Sequence, residues 1–279
     1  MYYNGNKVYL TQELYYTVCR IGKRVILAPC DELKKKQRYF KTAINWVYPL
    51  KMNTFKAAKI HCGKKYVLKM DIKDFYGSVP YPFIKQVIKN ICKRIKNADI
   101  NYYLMITTVK GKLPTGAPTS AHIANACFSP VDKRIQAYCN AFCVDYSRYM
   151  DDMTFSSDDK YFLNMIEKFV QKTLANFGYK LNDKKTKYIS DNKHQNVLGV
   201  VVNNKDVRLP KTLRKKLRAM LHSYSVYQSS GAKEIDLKFR TWDEKSLAKL
   251  KGYLAYTKQV DEKSYNKLMH YAKSLNVNL

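Results

Sequence analysis

An α+β fold is what the 279-residue chain predicts, and three observations predict it. Strand-like and helix-like stretches follow one another without the regular βαβ alternation of a doubly wound sheet. Hydrophobic residues make up 46% and aromatics 13%, with 24 tyrosines, which is material for a packed core and excludes a disordered basic tail. No Pro-, Gly- or Ser-rich stretch offers a linker, so one compact unit with lobes is expected.

Taken in order, Tyr15–Val18 and Arg24–Leu27 are β-prone runs flanking Ile21-Gly22-Lys23, a hairpin with glycine at the turn. Asp31 is placed to cap a helix whose apolar positions Leu33, Phe40, Ala43, Ile44 and Val47 recur at helical spacing until Pro49. Tyr66–Met70 reads as a strand ending in Asp71, and Phe83–Ile95 has helical periodicity. After Pro114-Thr115-Gly116-Ala117-Pro118, the Ala-rich stretch Thr119–Cys139 predicts a buried helix begun by Thr or Ser. Val144–Tyr149 and Met153–Ser156 are strand-like on either side of Asp151-Asp152, which puts the acidic pair at a tight turn. Tyr161–Phe177 predicts a helix closed by Gly178. Val197–Asn203 and Val207–Leu209 predict a hairpin through Asn204-Lys205, and from Lys211 onward the chain reads as a helical bundle.

Charge narrows the function. The 51 Lys and Arg against 22 Asp and Glu give a net charge of +29, which opposes compaction unless a polyanion is the normal partner. Leu33–Met70 carries eleven basic and no acidic residues, and Val207–Tyr224 six and none, so two basic faces are expected to grip nucleic acid. No window approaches the ~18 apolar residues of a membrane span, and Met1–Leu10 lacks signal-peptide order, so a cytoplasmic protein with no membrane partner is expected. Seven irregularly spaced cysteines without a CxxC pair read as reduced thiols. Histidines 61, 122, 194, 222 and 270 give no metal spacing and are assigned structural or RNA-contact roles.

In so basic a chain, carboxylates at strand ends need a reason. Asp71 and Asp74 interrupt a basic region, and the adjacent Asp151 and Asp152 repel each other unless a cation lies between them. Magnesium suits, because it takes hard oxygen ligands from one or two carboxylates plus substrate phosphates. If the strand ending at Asp71 lies beside the hairpin carrying Asp151, the two can hold two ions ~3.5–4 Å apart, the arrangement of in-line phosphoryl transfer. A basic channel with paired acids means a polymerase or nuclease. Asp158-Asp159, by contrast, reads as a solvated turn.

Tyr149-Met150-Asp151-Asp152 resembles the Y-x-D-D box of reverse transcriptases, and four further segments resemble that family in the same order. Val67–Tyr76 is similar to its first catalytic strand, Leu113-Pro114-Thr115-Gly116-Ala117-Pro118-Thr119-Ser120 to its LPQGAPTS segment, and Gly178–Thr186 to its lysine segment. Arg24–Pro29 with Leu33-Lys34 and Gln37-Arg38 is similar to the fingers of retron and group II intron reverse transcriptases. The resemblance spans about residues 15–225. Three positions depart from it: Thr115 stands for Gln, Val197-Leu198-Gly199 for the retron V-T-G, and Ala57 for the first residue of N-A-x-x-H.

The resemblance implies a right-hand polymerase architecture: fingers over 1–65, palm over 66–195 with part of the fingers inserted around 80–112, and a primer-grip hairpin and basic helical thumb over 196–279. It implies that Asp71, Asp151 and Asp152 are catalytic and bind two Mg2+. Arg24, Asp74, Phe75, Tyr76, Thr115, Gly116 and Lys184 would line the deoxynucleotide site, with Arg24 on the triphosphate and Tyr76 excluding a 2′-hydroxyl. Lys184 or Lys185 would protonate the leaving pyrophosphate. Leu198 and Gly199 would form the primer grip, and Arg208, Lys211, Arg214, Lys215, Lys216 and Arg218 would bind RNA.

A retron-type enzyme is implied, copying a dedicated structured non-coding RNA, which serves as template and primer, into single-stranded DNA. An effector protein partner and a role in antiphage defence come with that reading. The alternatives are a stand-alone defence reverse transcriptase, protein-primed or untemplated, and an RNA-binding module whose complex is itself the function.

Overall fold

The computed structural model describes residues 2–22, 24–50, 52–231, 235–237 and 240–277. In chain order it begins with β1 (Tyr2–Asn4), β2 (Lys7–Tyr9), β3 (Tyr15–Ile21), β4 (Arg24–Pro29), α1 (Asp31–Val47) and α2 (Thr54–Lys59). There follow β5 (Tyr66–Asp71), α3 (Phe75–Ser78), α4 (Tyr81–Cys92), α5 (Ile100–Thr107), α6 (Ser120–Ala141), β6 (Asp145–Tyr149), β7 (Asp152–Ser157) and α7 (Lys160–Asn176). After a 3-10 turn over Asp183–Lys185 come β8 (Lys187–Ser190), β9 (Asn196–Val197), β10 (Val200–Val201), α8 (Lys211–Ser230), β11 (Ile235–Leu237), β12 (Arg240–Trp242), α9 (Glu244–Val260) and α10 (Glu262–Ser274). These residues divide into two compact units, Met1–Asn53 with Leu68–Tyr188, and Thr54–Val67 with Ile189–Leu279.

The first unit holds two four-stranded sheets, one in the order β1-β2-β3-β4 and one in the order β6-β7-β5-β8. The predicted β3–β4 hairpin forms, closing on Ile21↔Arg24; Lys23 of its predicted turn lies outside the described residues. The N-terminal strands join its open side, with Val8 buried under the same core as Tyr16 and Leu33. Helix α1 buries Leu33, Phe40 and Ile44 as its period requires, and Gln37 Nε2 donates to Tyr16 Oη at 2.6 Å and to the Ile106 carbonyl at 2.7 Å. Asp31 is not the cap. Strand β4 runs straight into the helix, Cys30 takes the N-cap position, and Asp31 becomes the first helical residue, where with Glu32 it complements the helix dipole. Phe155, Met153, Leu68 and Met70 form the sheet side of the core, and Phe128 and Ile123 of α6 are buried with them.

The second unit has two apolar clusters. One gathers Leu217 and Leu221 of α8, Trp242, and Leu250 and Leu254 of α9; the other gathers Ala58, Val67, Val197, Val200 and Val207. The segment from Asn196 to Arg208 makes two turns. The first is at Leu198-Gly199, where both residues adopt left-handed backbone (φ 49° and 89°) and the Asn196 side chain accepts the Gly199 N–H at 3.1 Å. The second passes through the expected Asn204-Lys205, with Val201 and Arg208 exchanging backbone hydrogen bonds at 2.8 and 2.9 Å. One expectation is corrected here: the stretch beyond Lys211 is not wholly helical, because Gly231, at φ 63°, ends α8 with a left-handed cap, and the β11–β12 pair follows.

Candidate active site

The β6–β7 ladder runs from Asp145↔Ser156 to Tyr149↔Asp152, leaving Met150 and Asp151 as the two turn residues. Asp151 is therefore at the tip and Asp152 opens the returning strand. Met150 carries the left-handed backbone of the turn, φ 55°. Strand β5 lies beside β7, and the Ile72 N–H donates to the Asp151 carbonyl at 3.0 Å, which brings the end of β5 and its buried last residue, Asp71, to the turn. Burial first, then Asp151 and Asp71, raise the Asp152 carboxyl above its ordinary value, against the pull of Lys69 and Lys185.

A lysine closes on this group. Residues 180–182 pair with 71–73, through Lys73 N–H to the Lys180 carbonyl at 2.9 Å and Asn182 N–H to the Asp71 carbonyl at 2.8 Å. The 3-10 turn that follows swings Lys185 back, so that its Nζ donates to Asp71 Oδ2 at 2.8 Å, while Asn182 Nδ2 donates to Oδ1 at 3.3 Å. The hydrogen bond to Asp71 holds the Lys185 ammonium above its ordinary pKa, outweighing desolvation. Of the two candidate lysines it is Lys185 that reaches the carboxylates.

Behind the turn stands a residue the sequence did not single out. Arg148, buried, donates from Nε to Asp132 Oδ1 at 2.8 Å, from Nη2 to Asp132 Oδ2 at 2.5 Å and to Asn125 Oδ1 at 2.7 Å, and from Nη1 to the Met150 carbonyl at 2.8 Å. Its guanidinium lies 4.5 Å from the Phe128 ring centroid and 5.6 Å from that of Phe75. Helix α6 thus braces the left-handed residue of the turn. No spacing signals this, because Asp132 and Arg148 are sixteen positions apart on different elements.

The remaining candidates of the first unit lie on the segment after β5, on β4 and on the loop that holds Thr115 and Gly116. Asp74 is a left-handed residue (φ 48°) ahead of α3, and a side chain at Gly77 would collide with its carboxylate. Phe75 is buried against Phe128 and Tyr179, while Tyr76 is half-buried. Burial first, then Asp151 and Tyr149, raise the Tyr76 hydroxyl, so this ring faces the turn. The Thr115 carbonyl accepts the Leu27 N–H at 2.8 Å, and a Cβ on Gly116 (φ 113°) would stand 2.8 Å from the Leu27 carbonyl oxygen. Glycine there lets the loop lie against β4, the strand at whose exposed start Arg24 sits.

In the second unit Leu198 and Gly199 form the β9–β10 turn. Of the six cations expected to bind RNA, Arg208 pairs with buried Asp261 at 3.5 Å, Lys216 lies 4.9 Å from the Tyr253 ring and Arg218 4.2 Å from the Tyr271 ring. Lys211, Arg214 and Lys215 are exposed. The absence of a nearby acid in sequence is thus partly made good from α9 and α10. His61 is fully buried and burial drives its pKa down to about 3, which makes it a neutral structural residue.

Among the described residues no helix is long and apolar enough to cross a membrane, and no group of three or more His, Cys, Asp or Glu could hold a metal ion. The oxygens of Asp71, Asp151 and Asp152 are nevertheless a hard-cation donor set: burial and the neighbouring carboxylates raise Asp152 in spite of Lys69 and Lys185, and the Lys185 side chain that covers Asp71 is half-exposed.

Residues 16–202 match the family described as reverse transcriptase (RNA-dependent DNA polymerase), and the chain belongs to that family. Within it, the chain is similar to retron reverse transcriptases. It is 26% identical over 216 residues to the retron Ec86 reverse transcriptase of Escherichia coli, covering 77% of this chain and 62% of that one. It is 26% identical over 272 residues to the retron Mx65 reverse transcriptase of Myxococcus xanthus, covering 88% and 60%. The chain thus spans about six tenths of the length of these relatives. Among solved structures, telomerase from Candida albicans in complex with a telomeric RNA fragment superposes with a TM-score of 0.55 at 13% identity, over 95% of this chain and 64% of that one. A foamy viral protease-reverse transcriptase in complex with double-stranded DNA gives 0.54 at 15%, over 93% and 42%. The fold is that of the right-hand polymerases.

Proposed function

We propose that this chain is an RNA-directed DNA polymerase of the retron type, a nucleotidyltransferase that copies a dedicated structured non-coding RNA into single-stranded DNA. The observation that carries the reading is the meeting of Asp71 with the Asp151-Asp152 turn, tied by the Ile72–Asp151 backbone bond. In this reading 1–65 are fingers, 66–195 palm and 196–279 primer grip and thumb, and the effector partner, the cytoplasmic location and the antiphage role belong to it as well.

Asp71 and Asp151 would hold Mg2+, with Asp152 beside them, and the metal would supply charge stabilisation to the attacking and leaving oxygens of phosphoryl transfer. The protein's own groups do the rest. Tyr76, facing Asp151, leaves room for a deoxyribose and not for a 2′-hydroxyl. Arg24 presents a guanidinium fork to the triphosphate, with Asp74, Phe75, Thr115 and Gly116 shaping the floor around it. Lys185, rather than Lys184, holds a proton on Nζ next to the carboxylates and can pass it to the departing pyrophosphate. Leu198 and Gly199 position the primer end, while Lys211, Arg214 and Lys215 are the thumb cations left to meet RNA phosphates.

The test is to isolate the protein from its native locus without nuclease and treat the bound nucleic acid with RNase, DNase and debranching enzyme. A discrete DNA whose mobility changes after both RNase and debranching supports the reading, and Asp151→Asn with Asp152→Asn must abolish it. Heterogeneous DNA, or DNA freed only by protease, assigns a stand-alone or protein-primed enzyme. RNA alone assigns a binding module.

A further inference from the structure

The outward face of α1 takes no part in the chemistry above. Lys35, Tyr39, Thr42 and Trp46 recur at intervals of four, three and four, which lines them along one side of a helix, opposite the buried Leu33, Phe40 and Ile44. Two large aromatics are unusually open there: Tyr39 is 72% and Trp46 69% exposed, the most exposed of the large hydrophobic side chains among the described residues. They sit seven residues apart, about 10 Å along the helix, so each can take a different base.

Their surroundings are cationic. The Arg94 guanidinium lies 5.6 Å from the Trp46 ring centroid, Lys34, Lys35, Lys36, Arg38 and Lys41 share the helix, and its Glu32 is engaged by Lys36 at 3.4 Å. An apolar patch built to receive a protein would be short of charge at its centre. Open aromatic rings on a helix with five lysines and arginines against two acids, Asp31 and Glu32, are instead what unpaired nucleotides require, since each base stacks on a ring while the phosphates meet the cations.

We propose that the Tyr39–Trp46 face of α1 is a stacking platform for a single-stranded segment of nucleic acid, separate from the carboxylate site. It rests on the reading of the chain as a nucleic-acid polymerase and adds to it a place where unpaired bases are held away from the reaction.

The chain offers its own reporter, because it has two tryptophans and the other, Trp242, is buried. The full chain is titrated with an oligouridylate of about ten nucleotides while tryptophan emission is followed, and a duplex of equal charge is run in parallel. The expected result is strong quenching by the single strand and little by the duplex. Trp46→Phe should lose the quenching but keep the affinity, whereas Tyr39→Ala and Trp46→Ala should each weaken binding roughly tenfold.

Three results would overturn the proposal: quenching equal for both probes, affinity unmoved by Tyr39→Ala and Trp46→Ala, or emission that follows protein concentration and ignores the oligonucleotide, which would give the face to a second copy of the chain. Template-directed nucleotide incorporation is measured on the same preparation. If it is present while the platform fails, the polymerase reading survives; if it is absent, that reading falls whatever the emission shows.

Discussion

Two aspartate–cation pairs of the first unit differ in almost everything but charge. Asp132 and Arg148 meet through two bonds, with the arginine side chain 4% exposed and each of its donor nitrogens occupied by protein. Asp71 and Lys185 meet through one, with the lysine side chain 50% exposed. In the first pair the exposure is low and the donors are spent, so it can only brace. In the second a compact ammonium on a flexible stem covers a carboxylate that a better cation can claim. Donor occupancy and solvent access, not distance, set the two pairs apart.

The largest break is at the chemical pair. Asp71→Asn should lower nucleotide incorporation by about a thousandfold or more, while the thermal midpoint moves little because asparagine keeps the shape of the buried side chain and the lost partner, Lys185, is half-exposed. At the bracing pair the effects exchange. Arg148→Ala strands Asp132 and the Met150 carbonyl, and urea unfolding should show a loss of about 3 kcal/mol; Arg148→Met with Asp132→Asn should recover much of it. Lys185→Ala comes next: incorporation falls about a hundredfold, and the divalent-ion concentration for half-maximal rate decreases, since no ammonium competes for Asp71.

The smallest effect sharpens the contrast with a third pair. Burial opposes ionisation of Asp261, but bonds from Ser264 and the Leu209 N–H, with Arg208 nearby, hold its carboxyl below the ordinary value of 3.8. A depressed carboxyl stabilises the fold above its unfolded pKa and ceases to do so as pH falls through the folded one. Unfolding of the chain should therefore become easier below about pH 4, and Asp261→Asn should flatten that acid limb.

What was legible in the sequence follows the range of the forces involved. The β3–β4 and β6–β7 hairpins, the α1 stripe and the turn that carries Asp151 were readable because alternation, helical period and turn chemistry are local. The choice between Lys184 and Lys185 was not, since the backbone rotation of one 3-10 turn decides which neighbour faces Asp71. Arg148 with Asp132, and Arg208 with Asp261, are joined only by folding. The Asn204-Lys205 turn was legible too, but the Leu198-Gly199 turn before it was not, because Leu198 takes a left-handed backbone that its residue type does not signal.

The bond from the Ile72 amide to the Asp151 carbonyl spans two strands and ends on the residue at the tip of the turn. Its proton can exchange with solvent deuterium only when the turn lifts from β5, so its protection factor measures, at a single backbone position and without substrate, how often the carboxylates come apart.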